Sequence, residues 1–313
     1  MDLQVLSNHL QCNSPSIRSF IVSFLREKSP STLTAYKRDL LDFTSFIPAC
    51  DVEEGIRTFF GLNQGQANFL VLNYKSHLKK RGLQSTTINR RLAAIRSIVK
   101  LANLVGLIRW KLDVSNLPVD VYRDTRGPGK DAFQQMLKAC NNQQFPQNIR
   151  NKAILRLLFD LALRRSEVSA LEIEDIDVFR SQISIIGKGR TQKQILSLPN
   201  ITREVLNEWV KYRDRCSGPL FINLSRSRPA NERLSSNGIY KIVSMLGKRI
   251  GLDVRPHGLR HSAITEACKK AAEYKIGIEE VMDFSRHRDI RTLLIYRDRE
   301  RNAQGIVANL ISE

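Results

Sequence analysis

Residues 255–262 read RPHGLRHS, a short basic stretch with one proline and two histidines. Pro256 is favoured in the first turn of a helix, where a backbone N–H has no intrahelical partner. A helix that begins there places His257 and Arg260 on one face, one turn apart. Helix N-termini attract anions, so this face suits an anionic oxygen such as that of a phosphate. The pattern is weak evidence alone, and three other motifs decide its interpretation.

The first of these motifs lies upstream, where residues 163–168 read LRRSEV. The apolar residues Leu163 and Val168 predict a helix end at the protein core. Arg164 and Glu167 are three residues apart and therefore share a face of that helix. Taken alone, such a pair is usually an ordinary surface ion pair.

The other two motifs contain a lysine and a tyrosine. Residues 187–191 read GKGRT between two apolar segments, which predicts a β-hairpin tip that carries Lys188. Residues 285–296 read SRHRDIRTLLIY, so that His287 precedes Tyr296 by nine residues. An exposed hairpin lysine is usually inert, and a tyrosine that ends an apolar run is usually a core residue. Each motif has this ordinary interpretation when it is considered separately.

The chain is strongly basic. Its 313 residues include 50 Lys and Arg against 31 Asp and Glu, a formal net charge of +19. Such an excess favours a polyanionic partner, because neutralised phosphates release condensed counterions. Residues 55–112 contain no acidic residue at all. A solvated helical surface normally mixes both signs, and no amphipathic terminal anchor for a membrane is visible, so nucleic acid is the favoured partner.

Helical spacing of apolar residues predicts helices throughout this acid-free region. Pro30, with hydroxyl side chains on both sides, predicts one helix start, and Ser85 predicts another. In the second of these helices, basic side chains alternate with apolar positions, which predicts one buried and one cationic face. The residues predicted to contact DNA are Lys79, Lys80, Arg81, Arg90, Arg91 and Arg96.

The sequence predicts two domains. Residues 117–130 contain two prolines and two glycines and are typical of an extended linker. We predict a helical domain over 1–120, a linker over 121–130, and a second domain with a C-terminal tail over 131–313. The fold class is mainly α with one small antiparallel sheet. The three predicted strands are residues 176–179, 183–186 and 195–198.

Other features narrow the class of protein. The five cysteines are odd in number and lack zinc-ligand spacing, which is typical of free thiols in a reducing compartment. No apolar run approaches the roughly 18 residues that a membrane helix needs, and the N-terminus has no signal pattern. We therefore expect a cytoplasmic, nucleoid-associated protein that uses no metal or other cofactor.

Together, in this order and at these intervals, the four motifs resemble the catalytic domain of the tyrosine recombinases, the phage-type integrases with Xer-like and Cre-like branches. The signature of that family is Arg-x-x-Glu, a hairpin Lys, His-x-x-Arg, a His or Trp, and a Tyr nine residues later. Residues 31–43 and 85–100 are similar to its N-terminal SAM-like, core-binding helical domain. The resemblance extends from about residue 15 to residue 300 and implies a Xer-like site-specific recombinase.

Three details depart from the usual pattern of the family. Ala162 stands where a glycine commonly precedes the Leu-Arg of the first motif. Ser285-Arg286-His287 replaces Leu-Gly-His in the last motif, and the segment between His261 and His287 is slightly longer than is typical. These departures bear on the subfamily, and none of them removes a catalytic side chain.

The resemblance implies the chemistry of the reacting bond. Tyr296 is the nucleophile, His257 accepts its proton, and Lys188 is the general acid for the leaving 5′ oxygen. The product is a 3′-phosphotyrosyl link with a free 5′-hydroxyl. Attack by the 5′-hydroxyl of another strand then reverses the step without ATP or a metal ion.

The same resemblance assigns the supporting groups. Arg164 and Arg260 clamp the non-bridging oxygens, since guanidinium forks match phosphate geometry. His287 donates to a non-bridging oxygen, and Glu167 orients neighbouring catalytic groups. The implied partner is a double-stranded recombination site bound by a homotetramer, alone or with a paralogous recombinase.

Two alternatives remain open from the sequence. A type IB topoisomerase shares this chemistry but relaxes DNA as a monomer, whereas a non-catalytic DNA-binding protein could keep only the fold. The order of the motifs favours recombination over the first, and the presence of every expected side chain favours catalysis over the second. The apolar residues after Tyr296, such as Leu310 and Ile311, predict a short helix that packs either on its own lobe or on a neighbouring subunit.

Overall fold

The chain divides into two compact units, residues 1–121 and 122–313. The computed structural model describes residues 16–119, 127–187, 192–214, 217–225, 227, 229, 231–287, 289–291, 293, 294, 296 and 303–312. Most of the predicted linker therefore lies outside the described residues. Its last residues already belong to the second unit, because the first described helix of that unit begins at Gly129.

The described part of the first unit consists of helices and their connections. The helices are α1 (Ile17–Arg26), α2 (Pro30–Thr44), α3 (Val52–Phe60), α4 (Gln64–Lys80) and α5 (Ser85–Leu104). The predicted starts at Pro30 and Ser85 are confirmed. Asn63 and Gln66 form a reciprocal capping box at the start of α4 (2.9 and 3.1 Å), which satisfies two N–H groups that the helix itself cannot.

An aromatic cluster fills the centre of this unit. Phe43 packs edge-on against Phe59 and Tyr74, with ring centroids 5.0 and 5.1 Å apart, and all three side chains are fully buried. Burying a phenylalanine side chain contributes about 1.5–3 kcal/mol, to which edge-to-face geometry adds. The first unit therefore has a hydrophobic core of its own.

The second unit combines eight described α-helices with three short strands. Its helices are α6 (Gly129–Asn141), α7 (Gln147–Asp160), α8 (Arg165–Ala170), α9 (Asn200–Arg213), α10 (Ser236–Arg249), α11 (Pro256–Glu273), α12 (Ile278–Ser285) and α13 (Ala303–Ser312). Its strands are β1 (Ile176–Asp177), β2 (Gln182–Ile186) and β3 (Lys193–Ser197). The predicted fold class, mainly α with a small sheet, is confirmed. Among the described helices, none combines the length and apolarity that crossing a membrane requires.

The sheet is antiparallel, in the order β1-β2-β3, with Ile183 opposite Ile176 on one side and Leu196 on the other. The first strand is shorter than the sequence predicted. The chain turns directly after it, where the Asp177 carboxylate accepts the backbone N–H of Arg180 (2.9 Å), and the predicted strand residue Phe179 is fully exposed. The hairpin tip with Lys188 lies outside the described residues.

Helix α7 forms the centre of the second unit and packs against α6, α9 and α11. It is buried on several sides, with Ile154, Leu155, Leu157 and Leu158 all fully buried. A helix that is apolar around most of its circumference belongs in the interior. Its contact with α11 fixes that helix, which carries the His-x-x-Arg motif, on the core.

The chain enters the second unit through a close contact with the same helix. The backbone N–H of Gly129 donates to the hydroxyl of Ser262 in α11 (2.9 Å). Two residues earlier, a Cβ atom at Gly127 would overlap the carbonyl oxygen of Gly258 and the hydroxyl of Ser262. Glycine is therefore required at position 127 because α11 leaves no room for a side chain.

Gly127→Ala is expected to destabilise the second unit by about 1–3 kcal/mol, the usual cost of overpacking. Thermal and urea unfolding would measure this change. Gly65→Ala is the matched control, because Gly65 is an exposed position in α4 where a Cβ atom meets only the Asn63 side chain at an ordinary 3.5 Å. The control should be neutral or slightly stabilising. Equal stability of Gly127→Ala and the wild type would contradict the close contact.

Candidate active site

The first motif forms an ion pair with a buried carboxylate at the start of α8. Arg164 precedes the helix, and the Glu167 carboxylate accepts both its backbone N–H (2.8 Å) and its guanidinium Nη1 (2.7 Å). The side chain of Glu167 is only 2% exposed, whereas that of Arg164 is 30% exposed. The pair is therefore not an ordinary surface ion pair, since the carboxylate lies inside and the guanidinium reaches toward solvent.

Arg260 lies beside this pair on α11 and is almost fully buried. Its guanidinium donates to the backbone carbonyls of Ala162 and Ser285. Burial, together with the neighbouring guanidiniums of Arg164 and Arg286, lowers the pKa of Arg260 to about 9. The side chain is still cationic at neutral pH.

A cavity of about 420 Å³ opens between these two motifs. Both predicted phosphate-binding arginines and His257 contribute to its wall, so the structure brings the first and third motifs to one place. The residues that line it are Leu163, Arg164, Arg165, Ser166, Tyr240, Arg255, Pro256, His257 and Arg260. The polar side chains among them are mainly cationic, so the cavity suits an anionic group.

Tyr296 is buried next to a group of imidazoles. It is 6% exposed, and its hydroxyl forms a hydrogen bond with Nδ1 of His261. The phenol ring stacks on His261 with centroids 5.3 Å apart and lies 6.2 Å from the ring of His287. His261 in turn contacts His257 edge-on at 4.1 Å. The three histidines and the tyrosine therefore form one continuous cluster.

His287 has an unusual electrostatic environment. Burial lowers its pKa to about 4, and the positive charges of Arg260, Arg164 and Arg286 act in the same direction. Its Nδ1 is buried and meets no hydrogen-bond partner within the described part of the chain. The imidazole is therefore neutral at physiological pH, and it can donate a proton from one nitrogen only.

The sequence analysis missed two residues of the candidate site, His261 and Arg286. His261 follows Arg260 directly and lies one helical turn from His257, so the periodicity of α11 could have indicated it. Arg286 occupies a left-handed position (φ 54°) at the end of α12, where its guanidinium binds the Glu167 carboxylate (3.2 Å). No sequence pattern predicts that contact, because it joins segments more than a hundred residues apart.

The residues predicted to contact DNA lie in the first unit, and several of them bind acidic side chains of α2. Arg81 and Arg91 both pair with Asp42, and Arg90 pairs with Asp39. Arg96 donates to the Val114 carbonyl (3.1 Å) and to the Asn116 side chain (2.6 Å). Lys79 and Lys80 are exposed. The contacts of all six with DNA remain predictions, as does the role of Lys188, which lies outside the described residues.

Comparison with known proteins identifies the family. The phage integrase family matches residues 129–302, and the phage integrase N-terminal SAM-like domain matches residues 17–103. The first match alone covers more than half of the chain, which therefore belongs to the phage integrase family.

Individual relatives narrow this assignment. A tyrosine recombinase of Synechococcus elongatus is 35% identical over 89% of this chain and 88% of its own length. A tyrosine recombinase of Synechocystis sp. is 34% identical over 95% of both chains, and the tyrosine recombinase XerD of Halalkalibacterium halodurans is 28% identical over 87% of this chain and 88% of its own. The chain is thus a Xer-like tyrosine recombinase, an enzyme that cleaves and rejoins DNA strands.

Solved structures confirm the fold. The XerH site-specific recombinase, in a post-cleavage complex with its palindromic difH substrate, is similar with a TM-score of 0.67 and 17% identity over 96% of this chain and 86% of that one. A lambda integrase dimer on a core site gives a TM-score of 0.63 and 13% identity over 96% and 83% of the two chains. At this level of identity the likeness concerns the fold alone.

The pKa of His287 yields a testable pH dependence. Between about pH 6.5 and pH 4 the unfolded chain binds a proton at this residue and the folded chain does not, so lowering the pH through this window favours unfolding. We expect the imidazole NMR signals of His287 to titrate near pH 4. His287→Asn should remove its share of the stability loss across this window. A titration midpoint at 6.5 or above would show that the arginines and burial do not act on this ring as described.

Proposed function

We propose that the chain is a site-specific DNA recombinase that cuts and rejoins DNA through a 3′-phosphotyrosyl intermediate, without a metal ion or ATP. The observation that carries the proposal is the position of the Tyr296 phenol. Its hydroxyl forms a hydrogen bond with His261, and this pair lies next to the cationic cavity lined by Arg164, His257 and Arg260. A free phenol has a pKa near 10, so it becomes a nucleophile only beside a base or in a strongly positive environment.

The proposed cleavage step forms one bond and breaks one. Oη of Tyr296 attacks the phosphorus, and the bond to the 5′ oxygen breaks. The phenol proton passes to His257, and Lys188 protonates the departing 5′ oxygen. The 5′-hydroxyl of another strand then attacks the phosphotyrosine and releases Tyr296, so the energy of the phosphodiester is conserved.

The cations and the neutral histidine stabilise charge on the phosphate. Arg164 and Arg260 bind the non-bridging oxygens, and a single such donor contributes about 3–4 kcal/mol in comparable sites. His287 donates its one N–H to a non-bridging oxygen as a neutral imidazole. Glu167 keeps the Arg164 guanidinium in place through its hydrogen bond to Nη1 (2.7 Å).

The reaction also requires a movement of Tyr296. The side chain is 6% exposed and engaged with His261. Its hydroxyl must leave His261 to reach a phosphorus in the cavity. We propose that this rearrangement accompanies binding of the recombination site.

Double-stranded DNA is the proposed partner, and the surface of α10 supports this choice. A second cavity, of about 570 Å³, lies along this helix and shares Tyr240 with the first. Its wall includes the exposed cations Lys241, Lys248 and Arg249. A duplex that entered the active site could continue along this basic surface. With DNA as the substrate, the cytoplasm and the nucleoid remain the predicted location.

We propose further that the enzyme acts as a homotetramer on synapsed DNA, alone or with a paralogous recombinase. Helix α13 supports this assembly, because its apolar side chains Val307, Leu310 and Ile311 are 52%, 68% and 79% exposed. Exposed apolar side chains are stabilised when they pack on another surface and leave water. Of the two positions open from the sequence, docking on a neighbouring subunit is therefore favoured over packing on its own lobe.

Tyr296→Phe is expected to bind DNA with wild-type affinity and to form no covalent adduct, because it lacks the attacking oxygen. Adduct formation on a nicked site, resolved by denaturing electrophoresis, measures this loss. In the same assay, the wild type should remain active in EDTA, because the proposed reaction uses no metal ion. Tyr274→Phe is the matched control, since Tyr274 is 66% exposed. An adduct formed by Tyr296→Phe would contradict the assignment, as would strict dependence on Mg²⁺. Relaxation of a supercoiled plasmid without exchange between two sites would indicate a topoisomerase.

Deleting residues 303–313 is expected to weaken assembly on a pair of sites while leaving binding to one site intact, because it removes the apolar face of α13. Analytical ultracentrifugation and gel shift on synapsed sites measure the two properties. Asn309→Ala, an exposed polar position on the same helix, is the control and should assemble normally. Unchanged assembly after the deletion would mean that α13 does not bridge subunits.

A further inference from the structure

Two residues of the site have left-handed backbones although they carry side chains. Ala162 has φ 46° and Arg286 has φ 54°. This conformation is unfavourable for any residue except glycine, and glycine is what the family pattern commonly has at both positions. The two residues are in direct contact, because Nη2 of Arg286 donates to the Ala162 carbonyl (2.9 Å). The two departures from the pattern thus form one local arrangement.

The Arg286 guanidinium lies behind the cavity and not in it. Its side chain is 4% exposed, against 30% for Arg164. Its donors reach the Leu161 carbonyl (2.9 Å), the Ala162 carbonyl (2.9 Å) and Oε2 of Glu167 (3.2 Å). All three acceptors belong to the segment that presents Arg164 to the cavity.

These acceptors connect Arg286 to both predicted phosphate-binding arginines. Glu167, which Arg286 holds, receives the backbone N–H and Nη1 of Arg164 (2.8 and 2.7 Å). The Ala162 carbonyl, which Arg286 also holds, receives a hydrogen bond from Arg260. A glycine at position 286 could make neither contact. The buried guanidinium of Arg286 therefore fixes the Glu167 carboxylate and the Ala162 carbonyl. These two acceptors bind Arg164 and Arg260, respectively.

We propose that Arg286 is a positioning residue of this recombinase: through Glu167 and the Ala162 carbonyl it aligns Arg164 and Arg260 on the scissile phosphate. The inference rests on the proposed function. This role differs from a purely structural one, because the effect of Arg286 on the cleavage rate depends on the charge of the phosphate oxygens that Arg164 and Arg260 bind.

Arg286→Gly tests the proposal, since it removes the guanidinium and also relieves the left-handed backbone. We expect the rate of single-turnover cleavage on a nicked site to fall about ten- to hundredfold, the range typical of residues that orient a functional group from behind. Arg286→Lys keeps the positive charge but lacks the planar guanidinium that reaches several acceptors, so it should cleave at an intermediate rate. Lys275→Gly is the matched control, because Lys275 is an exposed cation with φ 56° and should cleave at the wild-type rate.

A substrate with a methylphosphonate at the scissile position separates positioning from folding. It lacks the charge of one non-bridging oxygen, so alignment of the guanidiniums matters less, and the loss caused by Arg286→Gly should shrink severalfold. An equal loss on both substrates would overturn the proposal. If Arg286→Gly does not fold, Arg286→Lys takes its place in this comparison, and a wild-type rate in that variant would also overturn it.

Adduct formation by the wild type tests the proposed function independently of the role of Arg286. Absence of a covalent adduct in the wild type would overturn both the function and the role of Arg286. A normal wild-type adduct together with an unchanged cleavage rate in Arg286→Gly would overturn the role of Arg286 alone.

Discussion

The arrangement of the site depends on one buried carboxylate, that of Glu167. Removing a carboxylate from water costs several kcal/mol, so it stays charged only where donors surround it. Arg164 supplies two of those donors from its own segment, and Arg286 supplies another from the turn after α12. Arg260 joins the same two segments a second time, through the carbonyls of Ala162 and Ser285. Segments more than a hundred residues apart are thus held together at the candidate active site by ion pairs and by hydrogen bonds to backbone carbonyls.

Ion pairing between arginines and a carboxylate has a different consequence in the first unit. Asp42 of α2 accepts the Tyr74 hydroxyl (2.6 Å) and pairs with Arg81 and Arg91. These cations come from a stretch of sequence without a single acidic residue, and their partner comes from an earlier helix. An excess of positive charge along the chain is therefore not the same as a free cationic face in space. Arg96 donates to the Val114 carbonyl and the Asn116 side chain, so the exposed Lys79 and Lys80 are the members of the predicted set best placed to bind a polyanion.

Local signals predicted much of the fold, because they depend on neighbours in sequence. The helix starts at Pro30, Ser85 and Pro256 and the two strands of the main hairpin follow from local residue preferences and apolar spacing. The order of the motifs predicted the family, and the structure brings Arg164, His257 and Arg260 of those motifs to one cavity. The contacts of His261 with Tyr296 and of Arg286 with Glu167 could not be predicted in this way, because tertiary packing alone brings these residues close. The length of β1 was overpredicted for a local reason, since a turn closed by the Asp177 carboxylate and the backbone N–H of Arg180 competes with the apolar pattern.

The charge balance of the site connects the resting geometry to catalysis. Three guanidiniums, those of Arg164, Arg260 and Arg286, surround the single carboxylate of Glu167, and their mutual repulsion contributes to the lowered pKa of Arg260 and of His287. A phosphodiester brings one negative charge into this excess and offsets part of the repulsion. In the transition state of the proposed reaction the phosphoryl oxygens carry more negative charge than in the ground state. In the proposed reaction, the excess of positive charge would therefore stabilise the transition state more than the bound substrate, which is the condition for catalysis.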